Sequence, residues 1–197
     1  MRYNSNIRAP ALASAIATAM AIIEGLYSKA AELDYIGENI SQLEHAIQCG
    51  DLAIGAHASP ETVLAAFLHD IGHLISDGDS QKMMNLGRMD HETVGAEFLK
   101  NLGFSVRIAE LVKLHVTAKR YLVTKHESYA ERLSAASKKT LLIQGGKLNI
   151  SEVEEFEQNP LFKDALRIRS WDEEAKVVGR QDARLSYYID LVAKGFT

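Results

Sequence analysis

Proline is nearly absent from this chain. Only Pro10, Pro60 and Pro160 occur in 197 residues, and between them apolar residues recur three and four apart rather than in alternation, the spacing of helices that bury one face. An all-α fold follows. Ile36, Ile40, Leu43, Ile47 and Leu52 make one such face, and Ser59 before Pro60 supplies a cap and a first-turn proline for the next helix. That helix carries Val63, Leu64, Ala66, Phe67 and Leu68 into the sequence HDIGH. Further helices are expected at Glu92 to Asn101, Ser105 to Thr117, Ser134 to Ile143, Ser151 to Gln158, Leu161 to Glu173 and Arg180 to Lys194. Glycines mark the joins, at Gly72, Gly78, Gly87, Gly103 and the Gly145 and Gly146 pair. The longest irregular stretch, Ser76 to Asp90, reads either as a lid or binding loop or as a surface excursion.

A chain of this length suits one core, so a single domain over 1–197 is expected. Residues 1–10 form its arm, because Asn4, Ser5, Asn6 and Pro10 are poor helix formers. Lys and Arg total 22 against 26 Asp and Glu, which gives no basic excess for a phosphate backbone and argues against nucleic acid as partner. The only cysteine, Cys49, has no partner for a disulfide, a CxxC zinc site or redox work, which fits a reducing cytoplasm. The apolar stretch Ala9 to Ile23 contains Ser14 and Thr18, is followed by Glu24 and is short for a bilayer. It reads as an amphipathic helix, and no membrane association is expected. Nothing in the sequence sets the oligomeric state.

Chemistry concentrates in the histidines. Four of the seven recur in order as His45, His69 beside Asp70, His91 and His115, followed much later by Asp172. Any one alone is more simply a core or surface histidine, but together imidazole and carboxylate suit iron, manganese or zinc, brought inward from facing helices. Neighbouring His69 and Asp70 point about 100° apart on a helix, so both reach metal only if it lies between them or if two ions are present. With Asp70 bridging and five terminal donors, six protein donors exceed what one open catalytic ion takes. Two ions are the better reading.

His45, His69 with Asp70, and Asp172 resemble the H…HD…D signature of the HD superfamily, a single-domain helical bundle, and the inserted His91 and His115 resemble its dinuclear branch. The resemblance extends from Leu33 to Asp172 to the PhnZ-type organophosphonate oxygenases, through LDYIGENISQLEHAIQC, LAAFLHDIGH, HETVGAEFLKNLGF, HVTAKRYLV, LSAASKKTL, QGG and KDALRIRSWDE. It implies two iron ions, Fe(II)/Fe(III), with O2 as co-substrate and a small zwitterionic phosphonate as substrate. The loop SDGDSQKMMNLGRMDH departs from the version associated with a free-amine substrate, which tilts the reading toward a trimethylated nitrogen.

His73 follows Asp70 by three positions, and Lys119 and Arg169 lie a turn from His115 and Asp172, so a cation is expected beside each of two ligands. On residue type alone His73 supports a ligand and both cations face solvent. The resemblance instead gives His73, Lys119 and Arg169 to the phosphonate, and Asp70, His73 and Lys119 to catalysis. It also has Tyr35 and Glu38, three apart in YIGE at the start of the helix bearing His45, close over the substrate nitrogen. An early glutamate otherwise complements a helix N-terminus. Ser137 matches a position near the substrate, or is a small packing residue. Trp171, Tyr121 and Phe67 belong to the core.

Three functions compete. The resemblance implies an oxygenase cleaving the carbon–phosphorus bond of (R)-1-hydroxy-2-(trimethylamino)ethylphosphonate or 1-hydroxy-2-aminoethylphosphonate to glycine betaine or glycine and phosphate. A metal-dependent phosphohydrolase acting on a nucleotide or other phosphomonoester would use the same ions without oxygen. A non-catalytic ligand sensor has no need of the full donor set.

Overall fold

The computed structural model describes residues 8–35, 38–75, 90–179 and 184–196. The elements are α1 (Arg8–Ala30), α2 (Gln42–Gly55), α3 (Pro60–Leu68), a 3-10 turn (Ile71–Leu74), α4 (His91–Leu102), α5 (Val106–Lys125), α6 (Glu127–Arg132), α7 (Ala135–Ile143), α8 (Ile150–Gln158), α9 (Phe162–Glu174), α10 (Leu185–Val192) and a closing 3-10 turn (Ala193–Gly195). Among the described residues there is no strand, only isolated bridges pairing Asp34 with Ser41 and Phe104 with Phe196. The all-α expectation holds.

Side-chain caps set the helix starts. Ser41 and Glu44 form a reciprocal capping box on α2, Asn149 and Glu152 form another on α8, and Ser59, Ser105 and Ser134 accept from the first turns of α3, α5 and α7. Gly103, at φ 93, ends α4 in a left-handed conformation that favours glycine. The centre of the molecule is α2, α3, α5 and α9 packed together, with α4 against α5 and α1 against α10. Phe67 anchors it, stacked on Tyr188 at 4.4 Å and tilted against Tyr27 at 4.5 Å, while the Tyr27 hydroxyl donates to its carbonyl at 2.9 Å.

Several expectations need correction. The helix α5 runs on to Lys125 rather than stopping near Thr117, because Val116, Ala118 and Val123 continue its buried face. Ile40 is not helical: its carbonyl accepts from the Tyr35 N–H at 2.8 Å beside the bridge between Asp34 and Ser41, so Tyr35 and Glu38 precede α2. The helix-terminal glutamate is Glu44. The short helix α6 was not foreseen. Residues Arg8–Pro10 open α1, and the rest of the expected arm, 1–7, lies outside the described residues, as do Ile36, Gly37, 76–89, 180–183 and Thr197. At Pro10–Ala30 the first helix is long and apolar enough to cross a membrane by length and composition, so the argument from shortness fails. Its Ala19, Ile23, Tyr27 and Ala30 are core residues nonetheless, while Leu12 and Ile22 are exposed.

One close approach sets the distance between the 3-10 turn after α3 and α4. A Cβ on Gly72 would stand 1.9 Å from the His91 carbonyl oxygen, a backbone atom that cannot swing away. Gly72→Ala is therefore expected to cost about 1–3 kcal/mol or more in chemical denaturation. Gly55→Ala, where nothing lies within 4 Å of the new methyl, should be neutral or stabilising by up to about 1 kcal/mol.

Candidate metal centre

The helix α3 ends at Leu68, so His69 is its cap and Asp70 opens the following turn at φ −100 and ψ 10. The 100° offset expected of neighbours on a helix is thus replaced by a break that turns both side chains to one place. His45 comes from the first turn of α2, His91 opens α4, His115 is mid-α5 and Asp172 lies near the end of α9. The four histidines and Asp172 are almost fully buried.

Six donors fall into two groups. In one, His45 Nε2 lies 3.3 Å from His69 Nε2 and 3.4 Å from Asp172 Oδ1, and His69 Nε2 lies 3.4 Å from Asp70 Oδ2. In the other, His91 Nε2 lies 3.1 Å from His115 Nε2, and Asp70 Oδ1 lies 3.3 Å and 3.6 Å from them. Asp70 thus gives one oxygen to each group. Donor spacings of about 3.0–3.4 Å are polyhedron edges for bonds of about 2.1 Å.

The outer ring nitrogens fix the imidazoles. Nδ1 of His45, His69 and His115 faces the carbonyls of Ala175, Ala66 and Val112 at 2.8, 2.8 and 2.6 Å, and Nδ1 of His91 faces the Glu92 carboxylate at 3.5 Å. A carbonyl only accepts, so Nδ1 carries the proton and the Nε2 lone pairs point inward. Lone pairs facing one another at such distances repel unless a cation lies among them, so the donor set fits two metal ions. Burial works against charge on Asp70, but the neighbouring imidazoles, His69 first and then His91, outweigh it and hold the carboxyl well below its usual range. Asp172 is likewise held low against burial, chiefly by Arg169.

The remaining sequence candidates are brought to the rim. The Tyr35 ring stacks on His45 at 3.8 Å and its hydroxyl donates to Asp172 Oδ1 at 3.4 Å. The backbone N–H of Glu38 donates to the Tyr35 carbonyl at 2.9 Å. His73, a full turn from Asp70 in the 3-10 geometry, stacks on His91 at 4.0 Å; burial, then His91, lowers its pKa to about 3.

The solvent-facing alternative for the two cations is ruled out, since Lys119 and Arg169 are buried. Lys119 Nζ donates to Thr140 Oγ1 at 2.8 Å and Gln144 Oε1 at 2.7 Å, and burial, then Arg169, brings its pKa down to about 7. Arg169 pairs with Asp172 and Glu173 and donates from Nε to the Tyr129 hydroxyl at 2.7 Å. Ser137 reaches this region indirectly, its carbonyl accepting from Thr140 at 3.2 Å. Phe67 and Trp171 lie in the core, and Tyr121 packs against it with its hydroxyl on Glu157. Sequence reasoning missed Tyr129, Thr140, Gln144, Glu173 and Lys176. Of these, Thr140, Gln144 and Glu173 lie in stretches that carry the family resemblance, and Glu173 also lies four residues after Arg169.

The model of the HD domain matches residues 43–183. An uncharacterized protein of Acanthamoeba polyphaga mimivirus is 43% identical over 86% of this chain and 78% of its own. A hydroxymethylphosphonate dioxygenase of Gimesia maris is 42% identical over 78% of this chain and 77% of its own. A 1-hydroxy-2-(trimethylamino)ethylphosphonate dioxygenase (glycine-betaine-forming) of Leisingera caerulea is 38% identical over 78% of each.

Because Asp70 serves both groups, Asp70→Ala should lower metal content from two ions per chain toward none. His115→Ala should leave about one, since the group of His45, His69 and Asp172 stays intact. Elemental analysis of the purified variants distinguishes these outcomes, and equal partial loss from both would remove Asp70 from the bridging role.

Proposed function

The chain belongs to the HD-domain family, within it to the PhnZ-type organophosphonate oxygenases, and from this we propose that it is a dinuclear non-haem iron oxygenase that cleaves the carbon–phosphorus bond of a small 1-hydroxyphosphonate. The observation that carries the proposal is the pair of histidine groups sharing Asp70, set beside two buried cations. A hydrolase of phosphomonoesters would also use two ions; the dioxygenase names of the relatives favour oxygen chemistry. Such a reaction consumes one O2 per substrate and gives one carboxylate and one phosphate. The two oxygens enter the products, and the electrons come from C1 and the C–P bond, so no external reductant is needed.

In this reading His45, His69 and Asp172 would hold one iron and His91 and His115 the other, with Asp70 available to both. When bound, the Fe(II)/Fe(III) pair supplies O2 activation and one-electron redox chemistry. The chain supplies placement and charge. Lys119 and Arg169 would offer charge-assisted donors to the phosphonate oxygens, and His73, stacked on His91, would help to hold them. Ser137 and Tyr35 bound the substrate, and Glu38 faces the end away from phosphorus. A trimethylammonium or primary ammonium at that end, as in 1-hydroxy-2-(trimethylamino)ethylphosphonate or 1-hydroxy-2-aminoethylphosphonate, would meet the Glu38 carboxylate and the Tyr35 ring. Burial of Cys49 as a free thiol suits a reducing, cytoplasmic setting.

Iron-loaded protein incubated with these phosphonates and with hydroxymethylphosphonate should release phosphate and consume O2 one for one, with no phosphate under anaerobic conditions. Anaerobic phosphate release from a phosphomonoester would establish the hydrolase instead. Lys119→Ala should weaken phosphonate binding about 10–100-fold with the fold retained. Arg169→Ala should also cost about 3–5 kcal/mol of stability, because it strands Asp172 and Glu173 without their buried counter-charge. Titration of phosphonate binding alongside denaturant unfolding separates the two effects.

A further inference from the structure

Past the end of α9 the chain is clamped on both sides of Lys176. The Ala175 carbonyl accepts from His45 Nδ1 at 2.8 Å, and the Gln48 side chain both donates to and accepts from the Val177 backbone at 2.9 Å. The Lys176 N–H donates to the Glu174 carbonyl at 2.9 Å. Its backbone is therefore fixed by the same α2 that carries a metal-binding histidine. The side chain is 16% exposed, and its Nζ lies 3.4 Å from Glu38 Oε1 and 3.8 Å from Glu173 Oε2. Glu38 Oε1 is itself buried and, among the described residues, accepts no hydrogen bond.

Two carboxylates converging on one ammonium make a site for an organic cation. Here the chain provides the cation itself. The site adjoins the metal centre through Tyr35, which stacks on His45 and whose carbonyl accepts from the Glu38 N–H, and through Arg169, which joins Glu173 to Asp172. A substrate ammonium placed at Glu38 would have to displace Lys176, because two ammonium groups sharing one carboxylate repel and the mostly buried lysine would lose its counter-charge.

We propose that Lys176 is a specificity-determining residue: it fills the Glu38 and Glu173 subsite, so the protein favours 1-hydroxyphosphonates with no cationic nitrogen over those that carry one. The inference rests on the phosphonate reading and names the substrate class within it. In this arrangement Lys176 discriminates by repulsion against the wrong substrate, not by an added contact to the right one.

Binding of hydroxymethylphosphonate and of 1-hydroxy-2-aminoethylphosphonate to metal-loaded protein, measured by calorimetry without oxygen and then by kcat/KM in air, tests this. The wild type should favour hydroxymethylphosphonate by about tenfold or more. Lys176→Met should shift the ratio toward the aminated substrate by about tenfold or more, and Lys176→Arg, which keeps the charge, should restore the wild-type preference. If the methionine variant loses its metals, Lys176→Gln reads the same ratio. Wild-type preference for the aminated substrate, or an unmoved ratio in the uncharged variants, overturns the inference alone. Failure of the wild type to bind either phosphonate overturns the phosphonate reading and this inference with it.

Discussion

The structure turns on a single carboxylate placed among four imidazoles. Asp70 is charged and largely withdrawn from water, a state that costs several kcal/mol unless positive charge is supplied. Its two oxygens face opposite histidine pairs, so the residues on α2, α4 and α5 must reach the break after α3 together, with α9 bringing Asp172 to one side. Much else follows from holding that convergence. Backbone carbonyls orient three of the imidazoles, and Gly72 lets the chain pass against the His91 backbone.

The candidate donor set was legible because its information is local: donor type, order along the chain and a helical frame around each donor. His45, His69, Asp70, His91, His115 and Asp172 all converge as their sequence pattern implied. What the pattern could not give depends on distant contacts. Where α3 stops is settled by packing of the HDIGH segment on α4 rather than by propensity, and the bridge between Asp34 and Ser41 removes Tyr35 and Glu38 from the helix that periodicity suggested. Burial of Lys119 depends on Thr140 and Gln144 of the α7 region, and the partner of the Arg169 Nε, Tyr129, lies on a helix too short for its pattern to stand out.

Charge runs outward from the metal centre in alternation: Asp172, Arg169, Glu173, Lys176, Glu38. A network of this kind is rarely the cheapest way to fill buried space, since apolar side chains of similar volume often do as well or better for stability. Its retention here makes sense as placement of charge. Arg169 is spoken for on one side by Asp172 and on the other by Glu173, which holds its guanidinium plane still beside the centre. Lys119, by contrast, donates to neutral acceptors among the described residues, so it has less counter-charge at hand than Arg169.

The hydrogen bond from His45 to the Ala175 carbonyl closes a span of 130 residues. During synthesis, His45, His69, Asp70, His91 and His115 all leave the ribosome before Asp172 and the carbonyl that orients His45 have been made. An emerging chain therefore carries an incomplete and unoriented set of donors, open to whatever divalent ion is most avid for imidazole. Geometry can discriminate among metals only after α9 has docked. The finished protein, rather than the nascent one, is where the choice of ion can be made correctly, and the order of residues along the chain makes loading a late event.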